Sequence, residues 1–402
     1  MLIKEVFAKE VLDSRKMPTV SVEIITNSGK FKSSVPSGTS TGKHEAVELR
    51  DKNGSVKKAV ENIKNIIAPQ IVNKNFSNQK EIDNLLLKLD GTTNKRKLGA
   101  NAILAVSMAA CRAFSQENKL PLYKYIQKIS HNKNKIRMPK PMILLFEGGK
   151  HADNKAGKEI QEFMIIPRGK RFSDNFETGK KIYNYVGRFL KKNKIKKALG
   201  IEGAYYSLGN ELSLEIIYKI IRKLKVNCKT GLDVAASEFF KNKKYNLDGG
   251  KLTGKQMIEM YEQLIKNFKI VSIEDPFSEE DFDSWRIFNK LSKKSRKIML
   301  VGDDLTVSNP SLIKKAINNK LCNAMILKIN QIGTISEAIE SFKIAKKAGW
   351  KIIVSHRSGE TLDDFIADFS VGLGADFVKF GAVSQKERMV KYNRLKEIER
   401  EI

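Results

Sequence analysis

Six short apolar runs between residues 226 and 379 each end on an ionisable side chain. Val226–Leu232 runs into Asp233, Ile270–Ile273 into Glu274, Ile298–Gly302 into Asp303, Met325–Leu327 into Lys328, Ile352–Ser355 into His356, and Phe377–Val378 into Lys379. The intervals are about one β/α unit each, close to the ~30 residues such a unit needs. Each run is followed by an amphipathic stretch of helical period. Thr334 and Glu337 form a capping-box pattern ahead of Ala338–Ala345. Upstream, Pro141–Phe146 and Phe163–Ile166 are two more strand candidates, with long helices at Phe172–Leu190 and Leu212–Lys223. Eight strands with outer helices predict a β/α barrel. In a parallel barrel the strand C-termini converge on one face, so the six ionisable residues meet there. A single strand ending in Asp or Lys is a solvated edge; six in succession mark a shared site.

The residue types decide what that site can do. Asp233, Glu274 and Asp303 form an all-oxygen set for a hard divalent cation, and Mg²⁺ fits it. The alternative is a carboxylate cluster balanced by Lys and Arg without metal. It strands three like charges together and raises their pKa values. Lys328 and Lys379 follow on later strands. Near a dication a lysine loses its proton more readily, so one of them can act as a base. His356-Arg357-Ser358-Gly359-Glu360 reads either as a surface turn or, at a barrel strand end, as a phosphate holder, Arg being a planar fork of donors.

The first part of the chain has a different rhythm. Ser21–Thr26 and Phe31–Val35 read as strands around the turn residues Asn27-Ser28-Gly29. Val56–Ile71, Gln79–Leu87 and Gly99–Ser115 have helical spacing. Strands followed by helices predict an α+β unit. The Lys/Asn-rich stretch His131–Arg137 reads as a linker, dividing the chain into residues 1–136 and 137–402. Pro36–Gly42 is a small, polar Ser/Thr/Gly loop able to cover a phosphate or bring a hydroxyl to a second Mg²⁺.

Composition narrows the classes. At 402 residues and 41% hydrophobic, the chain can build sizeable cores. A net charge of +29 attracts polyanions. The lysines are scattered and no RRM or zinc-finger pattern accompanies them, so nucleic acid is expected only as a non-specific electrostatic partner. Cys111, Cys228 and Cys322 lack C-x-x-C spacing and are expected to be buried free thiols. No leader-like segment or membrane-length apolar run is visible, so a cytoplasmic protein without a membrane partner is expected.

These motifs resemble, in order and over nearly the whole chain, those of the enolase family. Asp13-Ser14-Arg15, Pro36–Gly42, Glu45–Asp51 and Leu98–Ala102 resemble its N-terminal signatures. Gly148-Gly149 with His151-Ala152, Gln161–Met164, Ser272–Pro276 and Gly302–Leu305 resemble its barrel signatures, as does Lys391-Tyr392-Asn393. Most specific are Leu327–Thr334 and Ser355–Thr361. The resemblance implies an enolase-type barrel behind a smaller N-terminal α+β domain. It implies reversible, Mg²⁺-dependent dehydration of 2-phosphoglycerate to phosphoenolpyruvate, a step of glycolysis and gluconeogenesis, by a homo-oligomer, usually a dimer and sometimes an octamer. On this resemblance Asp233, Glu274 and Asp303 hold the first Mg²⁺, and Ser40 reaches a second that arrives with substrate. Lys328 takes the proton beside the carboxylate and Glu202 protonates the departing hydroxyl. Lys379 contacts the carboxylate, Arg357 and Ser358 hold the phosphate, and His151, Gln161, Glu162 and His356 line the pocket. A carboxyl serves as such an acid when its pKa is raised.

The chain departs from the family pattern at several places. Where the family usually reads Gly-Asp-Glu-Gly-Gly around the acid, Gly200-Ile201-Glu202-Gly203-Ala204 stands here. The Asn and Ser usually flanking the Gly-Gly before His151 are Glu147 and Lys150. The usual Arg-Ser-Glu-Arg near the end is Gln385-Lys386-Glu387-Arg388, and the usual Thr after Lys379 is Phe380. Two other classes compete with an active enolase. One is a superfamily enzyme acting on another carboxylate, which the phosphate-type segments at Ser40 and His356–Thr361 argue against. The other is a non-catalytic polyanion binder supported by the charge and by Ile201.

Overall fold

The computed structural model describes residues 1–39, 42, 44–152, 159–196, 198–295 and 298–402. The chain opens with an antiparallel meander of β1 (Ile3–Leu12), β2 (Pro18–Thr26) and β3 (Gly29–Ser34). The central strand β2 buries Val20, Val22 and Ile24 against the helix Ala100–Glu117, whose alanines 102, 105, 109 and 110 are all buried. Strand β1 has no counterpart in the sequence pattern. It is an edge strand burying only Ile3 and Ala8, so its residues show no apolar alternation.

The helix expected over Val56–Ile71 is present but not uniform. Lys57–Asn62 is α-helical, Ile63–Ile67 is a wider π-turn, and Ala68–Ile71 resumes. Pro69 cannot donate into the ladder, and the widened turn lies just before it.

The second unit is a closed barrel of β4 (Lys140–Glu147), β5 (Glu162–Pro167), β6 (Cys228–Asp233), β7 (Ile270–Glu274), β8 (Met299–Gly302), β9 (Ala324–Leu327), β10 (Lys351–Ser355) and β11 (Phe377–Lys379). They are hydrogen-bonded in that order, and β11 closes onto β4. One strand corrects the all-parallel expectation: β5 runs antiparallel to both β4 and β6. Residues 148–161 connect β4 to β5 with no crossover helix among the described residues, and strands joined that directly run antiparallel. The reversal brings the start of β5 to the rim where the other strands end. Glu162 is there in register with Glu147 on one side and Asp233 on the other. A small sheet of Phe240–Lys241, Lys244–Leu247 and Gly250–Leu252, which the sequence pattern does not announce, follows β6.

Outer helices cover the barrel. Ile335–Lys347 starts on Thr334, whose hydroxyl accepts the Glu337 amide at 3.2 Å and donates to the Glu337 carboxylate at 2.7 Å. The segment 131–137 is tied to the barrel through Asn132 Nδ2 on Leu373 O (3.0 Å). The two units meet tightly. Ser37 and Gly359 exchange backbone hydrogen bonds, both 2.8 Å, and Arg112 pairs with Asp363 and Asp364. Cys111, Cys228 and Cys322 are buried and free. Among the described residues no helix is long and apolar enough to cross a membrane.

Candidate active site

A polar cavity opens at the rim where the barrel strands end and β5 begins. Its lining includes His151, Gln161, Glu162, Glu202, Asp233, Asp303, Lys328, His356, Arg357, Ser358 and Lys379. Glu274 lies just beneath, fully buried and reaching Lys379. Ser40, expected at a second metal, lies outside the described residues. Its neighbour Thr39 lines the cavity and binds Ser358 Oγ through both its amide (2.9 Å) and its hydroxyl (2.7 Å).

Consecutive strands give the cavity its acid floor. Lys379 Nζ lies 2.7 Å from Asp233, 2.8 Å from Glu274 and 3.0 Å from Glu162. Burial opposes its charge, but Asp233, Glu162 and Glu274 hold its pKa well above the usual lysine range. Lys328 Nζ contacts Asp303. Burial opposes that ammonium too, and Asp303 raises its pKa. The same contact outweighs burial in lowering the pKa of Asp303. Burial and then Asp233 push Glu274 well above the ordinary carboxylate range. Its Oε1 is buried and has no hydrogen-bond partner among the described residues. Asp233 and Glu274 meet on Lys379, and Asp303 meets Lys328. The three buried carboxylates feel one another's charge, one keeps an unsatisfied oxygen, and their all-oxygen chemistry suits a hard divalent cation.

Some orienting groups emerge only in the fold. Asp275 accepts the amides of Asp303 (2.9 Å) and Asp304 (2.8 Å), fixing the turn after β8. Gln331 Nε2 donates to Asp303 Oδ1 at 3.0 Å, and Ser308 Oγ donates to Gln331 Oε1 at 2.8 Å. The motifs Ser272–Pro276 and Leu327–Thr334 contain Asp275 and Gln331, so the sequence carries a signal for them without a role.

On the opposite wall Glu202 lies between two imidazoles. Its carboxylate is 2.9 Å from His356 Nε2 and 3.9 Å from His151 Nδ1, and His151 Nδ1 is 3.4 Å from Glu162. Burial works against ionisation, but His356 and His151 hold Glu202 well below the usual carboxylate range. His151 is raised to about 9, since Glu202 and Glu162 outweigh its burial. His356 is lowered to about 4 by burial, which Glu202 offsets only in part and Arg388 reinforces. Burial alone would give Glu202 the raised carboxyl expected of an acid; its imidazole neighbours pull it the other way, and His151 is the group that the carboxylates raise.

Arg357 is held from the N-terminal unit. Glu45 receives both of its terminal nitrogens, at 2.9 and 3.3 Å, and Asn330 Oδ1 receives one at 3.1 Å. Arg388, fully buried, donates to Ser358 O at 2.6 Å and lies 2.7 Å from His356 Nδ1. Lys391 pairs with Glu360 at 2.9 Å and donates to Thr361 O at 2.8 Å. These contacts set the 356–361 segment from behind.

Comparison with family models agrees with this geometry on both units. The model described as "Enolase, N-terminal domain" matches residues 3–126, and "Enolase, C-terminal TIM barrel domain" matches residues 135–402. The chain belongs to the enolase family. With both domains present in one chain, it is an enolase-type hydro-lyase with a site for a small-molecule substrate. The family implies use of a divalent metal, and Asp275, Asp303 and Asp304 place ligand oxygens within 4.8 Å of one another.

Proposed function

We propose that this protein catalyses the reversible, Mg²⁺-dependent dehydration of 2-phosphoglycerate to phosphoenolpyruvate. The observation that carries the reading is the split of the cavity into two chemistries. Lys328, at the end of β9, lies four strands around the ring from β5, where Glu162 meets His151 and Glu202. A substrate between them has a lysine on one side and a proton donor on the other. That is the arrangement a β-elimination of water requires. Asp303 holds Lys328 as an ammonium, and a cation that took the charge of that carboxylate would free Lys328 to act as base.

Asp233, Glu274 and Asp303 would hold the first Mg²⁺, and Ser40 would serve a second. When bound, the cations supply positive charge to the substrate carboxylate, where negative charge builds as the neighbouring carbon is deprotonated. A lysine base with one or two Mg²⁺ is the general pattern of the enolase superfamily and is carried over from it, not deduced from these distances. Lys328 takes the proton, and Lys379 holds the carboxylate. Arg357, pre-set by Glu45, and Ser358, pre-set by Thr39, receive the phosphate. Gln161 and Glu162 shape the carboxylate end. Glu202 delivers the proton to the leaving hydroxyl, drawing on the proton that His151 holds, while His356 lies against its second oxygen. We assign residues 1–136 as the cap and 137–402 as the catalytic barrel, acting in the cytoplasm as a homo-oligomer in glycolysis and gluconeogenesis.

The test is phosphoenolpyruvate formation from 2-phosphoglycerate with Mg²⁺ and with EDTA, beside Lys328→Ala and Glu202→Gln. Turnover that needs Mg²⁺ and is lost in both variants supports the reading. A folded, Mg²⁺-supplied wild type without turnover overturns it.

A further inference from the structure

Two departures from the family pattern lie far apart in sequence, and one of them reaches the loop that carries the other. Glu147 ends β4, is fully buried, and stands where the family usually has Asn. Ile201 stands where the family usually has Asp, one residue before Glu202. The Glu147 carboxylate reaches the loop that carries Glu202. It accepts the Glu202 amide at 3.0 and 3.2 Å and the Ala204 amide at 2.7 Å. These two N–H groups flank Gly203, whose φ is +83°, and converge on one carboxylate. Such a backbone concavity favours an acceptor with a carboxylate's geometry. The loop is pinned from its other side too: Gly203 O accepts Tyr183 and Ser384 hydroxyls, both 2.7 Å. There is no room for slack. A Cβ on Gly200 would lie 2.5 Å from Glu147 Oε2.

We infer that Glu147 is a positioning residue for the proton-donating side of the site, a carboxyl relocated to β4 that does the anchoring for which the Glu202 loop has no Asp at 201. The inference rests on the proposed role of Glu202. Among the described residues no Lys or Arg pairs with Glu147. Its carboxyl is raised to about 8 by burial and then by the Glu202 charge, and the two loop amides pull it back down. Glu147 does not line the cavity and acts through the loop amides that place Glu202.

Positioning of the acid separates two readouts. On the proposed reading, extended so that removal of the C2 proton by Lys328 precedes departure of hydroxide, C2 hydrogen exchange with solvent reports the base alone. Both rates are measured on the Mg²⁺-loaded full chain, with thermal melts alongside. Glu147→Leu, which removes both acceptors, should lose about 10²-fold in kcat for dehydration, the scale of a misplaced catalytic group, with KM little changed. Its C2 exchange should stay near wild type. Glu147→Gln keeps an acceptor for Ala204 N and should retain most turnover. Glu147→Asn should be slow, and adding Ile201→Asp should recover about ten-fold or more, because the two positions act as one device. Equal loss of exchange and dehydration, or wild-type turnover in Glu147→Leu, overturns the inference. So does a Glu147→Asn/Ile201→Asp double variant no faster than Glu147→Asn, which also decides the matter should Glu147→Leu fail to fold. Absence of both exchange and dehydration in wild type sinks the functional reading, and the inference with it.

Discussion

His151 owes its charge to its immediate neighbours. It is buried, and what keeps it protonated is chiefly two carboxylates within 4 Å, Glu162 and Glu202. Its pKa rises from 6.5 to about 9 in the folded protein. A raised folded pKa means the ion pair stabilises fully below about 6.5, where both folded and unfolded forms are protonated. The contribution fades as pH rises and is gone above about 9. The expected magnitude is on the order of 3 kcal/mol at most, from the size of the shift. His151→Gln removes the cation and leaves Glu202 and Glu162 facing each other. The Tm gap between wild type and this variant should be widest below pH 6.5 and close towards pH 9. A gap that stays constant or widens with pH would show that His151 is neutral in the fold.

At the scale of elements, a polar knot ties the N-terminal unit to the barrel. Ser107, on the helix Ala100–Glu117, donates its hydroxyl to Asp83 at 2.6 Å and accepts the Ile335 amide at 3.0 Å. Asp83 also accepts the Ser336 amide at 2.9 Å, so a buried carboxyl faces the first turn of the helix Ile335–Lys347. Burial raises Asp83 to about 6 despite these bonds. Ser107→Ala leaves a buried amide and a buried carboxyl short of a partner. It should cost about 1–3 kcal/mol in denaturant unfolding, the desolvation penalty of such groups, while KM for substrate is unchanged. The elements this knot joins are legible in the sequence, because helices with an apolar face and buried strands write their burial into the residue period. What is illegible follows from the same rule. Strand β1 buries two side chains and so carries no period. The reversed direction of β5 leaves no trace in an apolar run, which reads the same both ways. Glu147, Asp275 and Arg388 act largely on backbone groups brought from other elements, and nothing near them in sequence announces those partners. Lys328, Asp303 and His356 stand out because an ionisable residue directly after an apolar run is a local signal.

The whole molecule carries 74 Lys and Arg against 45 Asp and Glu, a net +29. Its carboxylates are correspondingly oversubscribed. Asp376 alone takes Arg137 at 3.1 Å, Lys346 at 2.9 Å and Lys351 at 3.0 Å. With that excess many lysines have no acid to meet, and the compact state works against their mutual repulsion. Added salt shortens the reach of that repulsion, from about 30 Å at 0.01 M to about 10 Å at 0.1 M. Buried pairs such as Arg357–Glu45 and Lys391–Glu360 are screened much less. The balance therefore favours a fold that gains stability with salt. Tm should rise as NaCl goes from about 0.01 M to about 0.1 M and level off beyond, when the Debye length falls below the spacing of the lysines. The competing outcome, a Tm that falls over the same range, would mean that exposed ion pairs outweigh the repulsion and that the excess charge is locally neutralised. The same field acts on substrate at long range only. Steering of an anionic substrate by a +29 surface should make kcat/KM fall with salt while kcat holds, since the groups that grip the substrate are buried and the field that gathers it is not.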